Sequence, residues 1–348
     1  MKRIFPAFLS CRGTRLSDSE KRLFAQSNPL GICLFSRYCE NIKNREQLNA
    51  LTQEIKEVIG RDDVLIAVDQ EGGRVRRLLE PEFTAVAAQE FITTPKLAKA
   101  HAYLISADLR ACGINVNFAP VLDILSLETS NVLQGRCFKQ DHALLAKAMV
   151  DEYINCGICP CIKHLPGHGK AKVDPHLELP VITANLTELE QDFYPFQQLK
   201  NAPMGMAGHI ILTAIDAQNA ATVSPLVITK IIRQKIGFSG LLVSDALTMR
   251  ALDGNIQSKA QRAIAAGCDV VCLGNTSFED NLALCESKIE MTDEAVERLS
   301  SIRKIINKPT TFTDYANIKN NYCMELKNII SYDYNYDATE VLHQLNNK

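Results

Sequence analysis

Tryptophan is absent from these 348 residues, so any ring that stacks on a ligand must come from Phe or Tyr. Long hydrophobic runs are absent as well: no segment approaches the roughly eighteen apolar residues that a membrane-spanning helix needs. An excess of one charge is also missing. The 38 basic and 40 acidic side chains leave a net charge of −2, with no long block of either sign, which argues against a nucleic-acid or membrane-surface partner. The G-x-G-x-x-G turn of a dinucleotide-binding fold is not present, since "EGGR" at 71–74 lacks its spacing. The N-terminal "MKRIFPAFLSCRG" has the basic start of an export signal, but Pro6 interrupts its apolar run and charge returns at Arg12. It reads better as a first buried strand.

Cysteine, by contrast, is plentiful. Twelve cysteines in a large chain without a recognisable export signal imply reduced thiols and a cytoplasmic protein. "CGICPC" (Cys156, Cys159, Cys161) invites a metal or redox reading but lacks a second ligand pair at zinc-site spacing. Cys159 and Cys161 also fit a strand entering the core, where thiols behave as small hydrophobes.

Short apolar runs recur along the chain: "IFPAFLS", "GICLFS", "VLIAVDQ", "INVNFAPVLDI", "CPCIKHLPG", "GMAGHIIL", "GLLVSDAL" and "DVVCLG". Between them lie helical patterns such as "NREQLNALTQEIKEVIG", "PKLAKAHAYLISADLRACG" and "HALLAKAMVDEYINCG", with apolar residues at i, i+3, i+4 spacing. Gly60, Gly113 and Gly157 stand where these helices should end. Strands apolar throughout, alternating with helices, indicate parallel strands covered on the outside. Eight such units favour an α/β fold of the (β/α)8, TIM-barrel type over an open sheet. One catalytic barrel is expected over residues 1–307. Residues 308–348, richer in Asn and Tyr, should form a peripheral helical tail, in which no function is legible.

In such a barrel the chemistry gathers where strands end and loops begin, and polar residues mark those ends here. The third strand runs into Asp69 and "QEGGRVRRL", with Arg74, Arg76 and Arg77. The fourth leads to Asp123 and then to "QGRCF" with Arg136, and the fifth ends at Lys163 and His164. His209 lies on the sixth and Ser244–Asp245 ends the seventh. Charged groups at the ends of apolar strands are costly to bury unless they pair or bind something. The stretch "IKHLPGHGKAKVDPHLELP" at 162–180 holds three of the seven histidines and is too polar for a core element.

"DQEGGRVRRL", "KHLPGHGKAKVDPHLELP" and "VSDALTM", in this order, resemble the signature of glycoside hydrolase family 3. More narrowly, they resemble its bacterial β-N-acetylhexosaminidases of peptidoglycan recycling. The resemblance covers roughly residues 5–300 and stops before the tail. It implies a retaining mechanism with Asp245 as nucleophile and His176, paired with Asp174, as acid/base. It further implies that Asp69, Arg77, Arg136, Lys163 and His164 bind an N-acetylglucosamine ring. The expected substrates are N-acetylglucosaminyl-anhydromuramyl saccharides and peptides, with no cofactor or metal and a monomer or weak dimer as the working form. Two departures are visible: Ala246 where a second aspartate is common, and Pro175 where serine is usual.

The chemistry agrees independently. A retaining glycosidase needs a carboxylate below the anomeric carbon and a proton donor at the leaving oxygen. Asp245 offers the first. Glu71 and Glu178 are the nearest second carboxylates, and neither ends a comparably rich loop. His176 suits the role because its ordinary pKa lies near 6.5, and Asp174 would orient its ring. Gly167 and Gly169 would let the loop move. Blander readings exist: His209 as a satisfied core group, His168 as a loop brace, Asp245 as a helix N-cap, and Arg74 and Arg76 as partners in structural salt bridges. Three other functions compete: a metal-dependent barrel hydrolase using His164, His168, His176 and Asp245, a phosphorylase on the same site, and a noncatalytic sugar-binding protein.

Overall fold

The computed structural model describes residues 3–36 and 39–326. Eight parallel strands close into a barrel in chain order: β1 (Phe5–Ser10), β2 (Pro29–Cys33), β3 (Leu65–Val68), β4 (Val116–Asn117), β5 (Cys159–Leu165), β6 (Met204–Ala207), β7 (Leu241–Ala246) and β8 (Val270–Cys272). The expected (β/α)8 architecture is therefore the observed one. Helices cover the barrel, among them α1 (Asp18–Ser27), α2 (Arg45–Ile59), α3 (Pro95–Ala111), α4 (His142–Asn155) and α5 (Leu186–Gln198). After a π-helical segment at Val227–Lys235 come α6 (Ile256–Ala266), α7 (Phe278–Cys285), α8 (Asp293–Ile306) and α9 (Tyr315–Glu325). No described helix is long and apolar enough to cross a membrane.

The helix boundaries follow local chemistry. Asn44 and Thr94 accept backbone N–H groups at the starts of α2 and α3, satisfying donors that a helix leaves unpaired. Gly60, Gly113 and Gly157, just past α2, α3 and α4, all adopt positive φ, the left-handed stop that glycine tolerates best.

Two of the expected strands are shorter than their apolar runs. In "INVNFAPVLDI" the ladder holds only Val116–Asn117, and Pro120 beyond it has no amide proton to donate. "GMAGHIIL" divides at Gly208–His209: Met204–Ala207 stays in the barrel, while Ile211–Leu212 pairs with Val181–Ile182 in a separate two-stranded sheet.

The barrel interior is filled by residues including Phe8, Leu65, Val116, Cys159, Cys161, Met204 and Val243. Cys159 and Cys161 are thus core thiols, and none of the twelve cysteines forms a disulfide. One face of α8, through Ala295, Leu299, Ile302 and Ile306, packs into the same interior cluster. Beyond residue 307, α9 packs against α3 and buries Tyr322. The remainder of the expected tail, 327–348, lies outside the described residues.

Candidate active site

A cavity of about 310 Å³ is lined by residues from the C-terminal ends of the strands and their loops. Its floor contains Cys33, Phe118, Met206 and Cys272. These come from the second, fourth, sixth and eighth strands or the residues just after them, the alternate-strand layer expected of this barrel. Above the floor the wall becomes charged.

The loop after β3 carries Asp69 and Glu71 and is fixed from within. The Gln70 side-chain oxygen accepts the backbone N–H groups of Arg77 and Leu78, at 2.8 and 3.0 Å. Gly72 is required in this turn. Its φ is +101°, and a Cβ there would lie 2.2 Å from the Ala87 carbonyl oxygen. The loop brings Glu71 against Arg136, with Nε and Nη2 at 2.9 and 2.8 Å from its carboxylate. Lys163, at the end of β5, places Nζ 2.7 Å from Glu71 and 2.8 Å from Asp69. Burial pushes the Glu71 carboxyl upward, but Arg136 and Lys163 outweigh it and hold the group well below the usual carboxylate range. Burial likewise opposes the charge on Lys163, and Asp69 and Glu71 reverse that effect.

His164 is oriented by Asp123, which accepts its Nδ1 proton at 2.7 Å and the His168 backbone N–H at 2.6 Å. His168 is buried beside His164, with ring centroids 5.6 Å apart. Burial drives its pKa down to about 4, so it is neutral near pH 7. Gly167 takes the permissive backbone expected of it, with φ +135°, and both loop glycines also sit in close contact with their surroundings. Residues 161–169 are buried. A Cβ on Gly169 would lie 1.8 Å from the Ile124 carbonyl oxygen, and one on Gly167 2.8 Å from Asp192 Cβ. They permit close packing of a fixed turn, and the more open stretch begins only after it, at 172–179.

That open stretch carries the Asp174–His176 pair. Asp174 Oδ1 accepts both the His176 backbone N–H at 2.9 Å and its Nδ1 proton at 2.7 Å. Nε2 is left as the ring nitrogen available for chemistry. Burial raises the Asp174 pKa, but its bonds to His176 more than reverse this, so Asp174 stays ionised. His176 and Pro175 line the cavity.

Asp245, near the end of β7, also lines the cavity, and its Oδ1 accepts the Ala246 N–H at 2.8 Å. Burial alone would raise its pKa, yet His209, His164, the Ala246 N–H and His176 bring it down to about 2. His209 is itself buried, with its pKa lowered by that burial, so the part of its pull that depends on protonation fades near pH 7. Its ring is held 2.8 Å from the Thr222 hydroxyl and 3.1 Å from the Ala246 carbonyl.

Among the residues singled out from sequence, the cavity wall unites Asp69, Arg136, Lys163, His164, His176 and Asp245. Asp174 stands behind His176. Arg77 is fully buried behind Asp69, 3.4 Å from its carboxylate, with its guanidinium over the Phe35 ring. Arg76 pairs with Glu80 at 2.6 Å and Arg74 bonds the Asn131 carbonyl; neither lines this cavity. Glu178 is exposed and off the wall. Sequence reasoning passed over Asn275, Thr276 and Asp280, which follow β8 and line the cavity. The polar "GNTS" after an apolar strand was the available signal. Among the described residues, no three His, Cys, Asp or Glu side chains are grouped to hold a metal ion.

Comparison with known proteins places the chain in a family. Residues 7–307 match the glycosyl hydrolase family 3 N-terminal domain. A β-hexosaminidase of Bordetella avium (strain 197N) is 36% identical over 312 residues, covering 84% of this chain and 87% of that protein. NagZ from Neisseria gonorrhoeae, solved in complex with N-trifluoroacetyl-D-glucosamine, superposes with a TM-score of 0.81 at 29% identity, covering 93% of this chain and 99% of that one. A family 3 β-N-acetylglucosaminidase from Paenibacillus sp. FPU-7 gives a TM-score of 0.82 at 25% identity, covering 92% and 67%. With barrel, cavity and relatives in agreement, the chain belongs to glycoside hydrolase family 3.

Proposed function

We propose that this glycoside hydrolase is a retaining β-N-acetylglucosaminidase that removes terminal non-reducing N-acetylglucosamine from peptidoglycan fragments in cell-wall recycling. The observation that carries this reading is one cavity with two differently equipped groups on its wall. Asp245 is a carboxylate whose pKa lies near 2. His176 has Nδ1 committed to Asp174. Asp245 attacks the anomeric carbon and forms a glycosyl ester, while His176 delivers a proton from Nε2 to the departing oxygen. The imidazole then accepts a proton from the incoming water, which hydrolyses the ester. Asp174 holds the ring in place.

Asp69, Lys163, Arg136 and His164 would hold the sugar, with Arg77 fixing Asp69 from behind. The names and bound ligand of the relatives support an N-acetylated hexosamine. Twelve cysteines with no disulfide among them support a reducing, cytoplasmic setting.

The test is turnover of a chromogenic β-N-acetylglucosaminide against the matching β-glucoside, with and without phosphate. Mass spectrometry of enzyme treated with a 5-fluoro N-acetylglucosaminyl fluoride completes it. Preference for the acetamido sugar, indifference to phosphate and an adduct on the peptide containing Asp245 are expected. A rate that depends on phosphate would make the enzyme a phosphorylase, and an adduct elsewhere would remove Asp245 as nucleophile.

A further inference from the structure

We infer that the C-terminal helix α9 is a working part of the sugar site, through Tyr322 as a positioning residue. This rests on the reading that Lys163 and Arg136 hold the sugar. Residues 315–325 lie beyond the 7–307 segment that matches the family, and their sequence shows no functional signal.

The Tyr322 hydroxyl is buried between two groups of the barrel. It accepts the Ala87 backbone N–H at 3.0 Å and lies 2.8 Å from His101 Nδ1. On the other side of the ring, His101 Nε2 is 3.0 Å from the Glu71 carbonyl oxygen. Burial drives the His101 pKa down to about 4, so near pH 7 the ring carries one proton. The Glu71 carbonyl can only accept, which assigns that proton to Nε2. Nδ1 must then accept, and the Tyr322 O–H donates to it. The bonds run one way, from the Ala87 N–H to Tyr322, from Tyr322 to His101, and from His101 to Glu71, with no donor facing a donor.

The end of this chain is the residue whose carboxylate fixes Arg136 and Lys163. The neighbouring turn has no slack to absorb a shift. A Cβ on Gly72 would lie 2.8 Å from His101 Cε1, so the imidazole rests directly against the loop backbone. A buried donor or acceptor left unpaired is costly, so losing the Tyr322 hydroxyl would orphan the Ala87 N–H and His101 Nδ1 together. The ring would be free to reorient, and the Glu71 loop would lose its brace. Asp245 and His176 come from other strands and would keep their places. The effect should fall on sugar binding and leave the chemical step largely intact.

The experiment compares Tyr322→Phe with Tyr315→Phe in the full chain. Tyr315 is on the same helix and hydrogen-bonds Thr84, so its loss weakens helix docking without touching the chain to Glu71. KM and kcat are measured on an aryl β-N-acetylglucosaminide, Kd for N-acetylglucosamine by calorimetry, and the His101 tautomer by nitrogen-15 NMR. Tyr322→Phe should raise KM and Kd about tenfold, change kcat less than about threefold and disturb the Nε2–H tautomer. Tyr315→Phe should lower Tm and leave both constants unmoved. The inference is overturned if both variants lose Tm alike with Kd unchanged, or if Tyr322→Phe lowers kcat alone. A wild-type chain that binds N-acetylglucosamine without turning over the glycoside would refute the hydrolase reading and leave Kd to decide Tyr322. A wild-type chain that does neither overturns both.

Discussion

Two carboxylate–cation groupings face the same cavity and are built in opposite ways. Glu71 is 2% exposed and is met by two cations, Arg136 through two nitrogens and Lys163 through one. The Asp174 and His176 side chains are each 12% exposed, on a more open stretch, and are joined to each other by a side-chain bond and a backbone bond. In the first grouping every charge is paired, with Asp69 as the second anion on Lys163, which would suit groups that keep their geometry while a ligand comes and goes. In the second one carboxylate meets one imidazole and leaves Nε2 facing the cavity side, which would suit the acid/base role proposed for it. The number of charged partners thus distinguishes the proposed holding group from the proposed proton-transfer group more clearly than residue type does.

The largest effect should come from a residue outside both groupings, the proposed nucleophile Asp245 on the same cavity wall. Asp245→Asn should lower kcat by about a thousandfold or more, on the order of 4 kcal/mol of barrier, because a neutral amide cannot form the glycosyl ester. Retention of a tenth of the wild-type kcat would show that Asp245 is not the nucleophile.

His176→Ala comes next and depends on what leaves. General acid catalysis typically contributes about 10²–10⁴-fold, and a sugar leaving group needs it whereas dinitrophenolate does not. Pre-steady-state glycosylation should slow by about that range for the disaccharide and only slightly for the aryl glycoside. Equal losses on both would mean that His176 positions the sugar and does not protonate the leaving oxygen.

Breaking the other grouping should damage the fold. Removing one partner of a buried ion pair typically costs about 3–5 kcal/mol, so Glu71→Gln should lower stability by about that amount in denaturant titration. Asp174→Asn should cost far less stability and show the leaving-group pattern of His176→Ala in weaker form. If the two substitutions proved equally destabilising, the division between holding and proton transfer would fail.

How much of this was legible beforehand follows the same division. Asp69, Arg136, Lys163, His164, His176 and Asp245 stand at strand ends or in the loops that follow, and hydrophobic patterning exposes such positions. Glu71 looked like a spare carboxylate because its partners lie 65 and 92 residues away in sequence, a distance that no local pattern reports. Gly167 and Gly169 suggested a hinge, since glycine reads the same whether it confers freedom or admits a neighbour's backbone. Tyr322 gave no signal, because a single buried hydroxyl on a polar helix leaves no periodicity. The break at Gly208–His209 was hidden inside a continuous apolar run.

The last effect concerns acidity. His101 and His168 have folded pKa values lowered to about 4, below the ordinary value near 6.5. The unfolded chain therefore binds protons first, and stability should decline as pH falls from about 6.5 toward 4. Asp123, Asp174 and Asp245 are lowered as well, Asp245 to about 2. Their contribution is fully present above the ordinary carboxylate value near 4 and is lost as pH falls toward 2. Denaturant midpoints across pH 2–8 should show both declines, and a flat profile between 6.5 and 4 would mean that the two imidazoles are not buried neutral.

The cavity is formed at one end of the barrel, above an interior filled by side chains and by one face of α8. In the proposed mechanism the sugar sits deepest and the aglycone nearest the exit. Departure is then ordered: the aglycone must go before water can reach the ester, and the sugar goes last. Free N-acetylglucosamine should compete with incoming substrate for the empty enzyme, whereas the released aglycone should intercept the glycosylated enzyme and return the sugar to itself. A one-ended barrel thus sets the order in which its products leave.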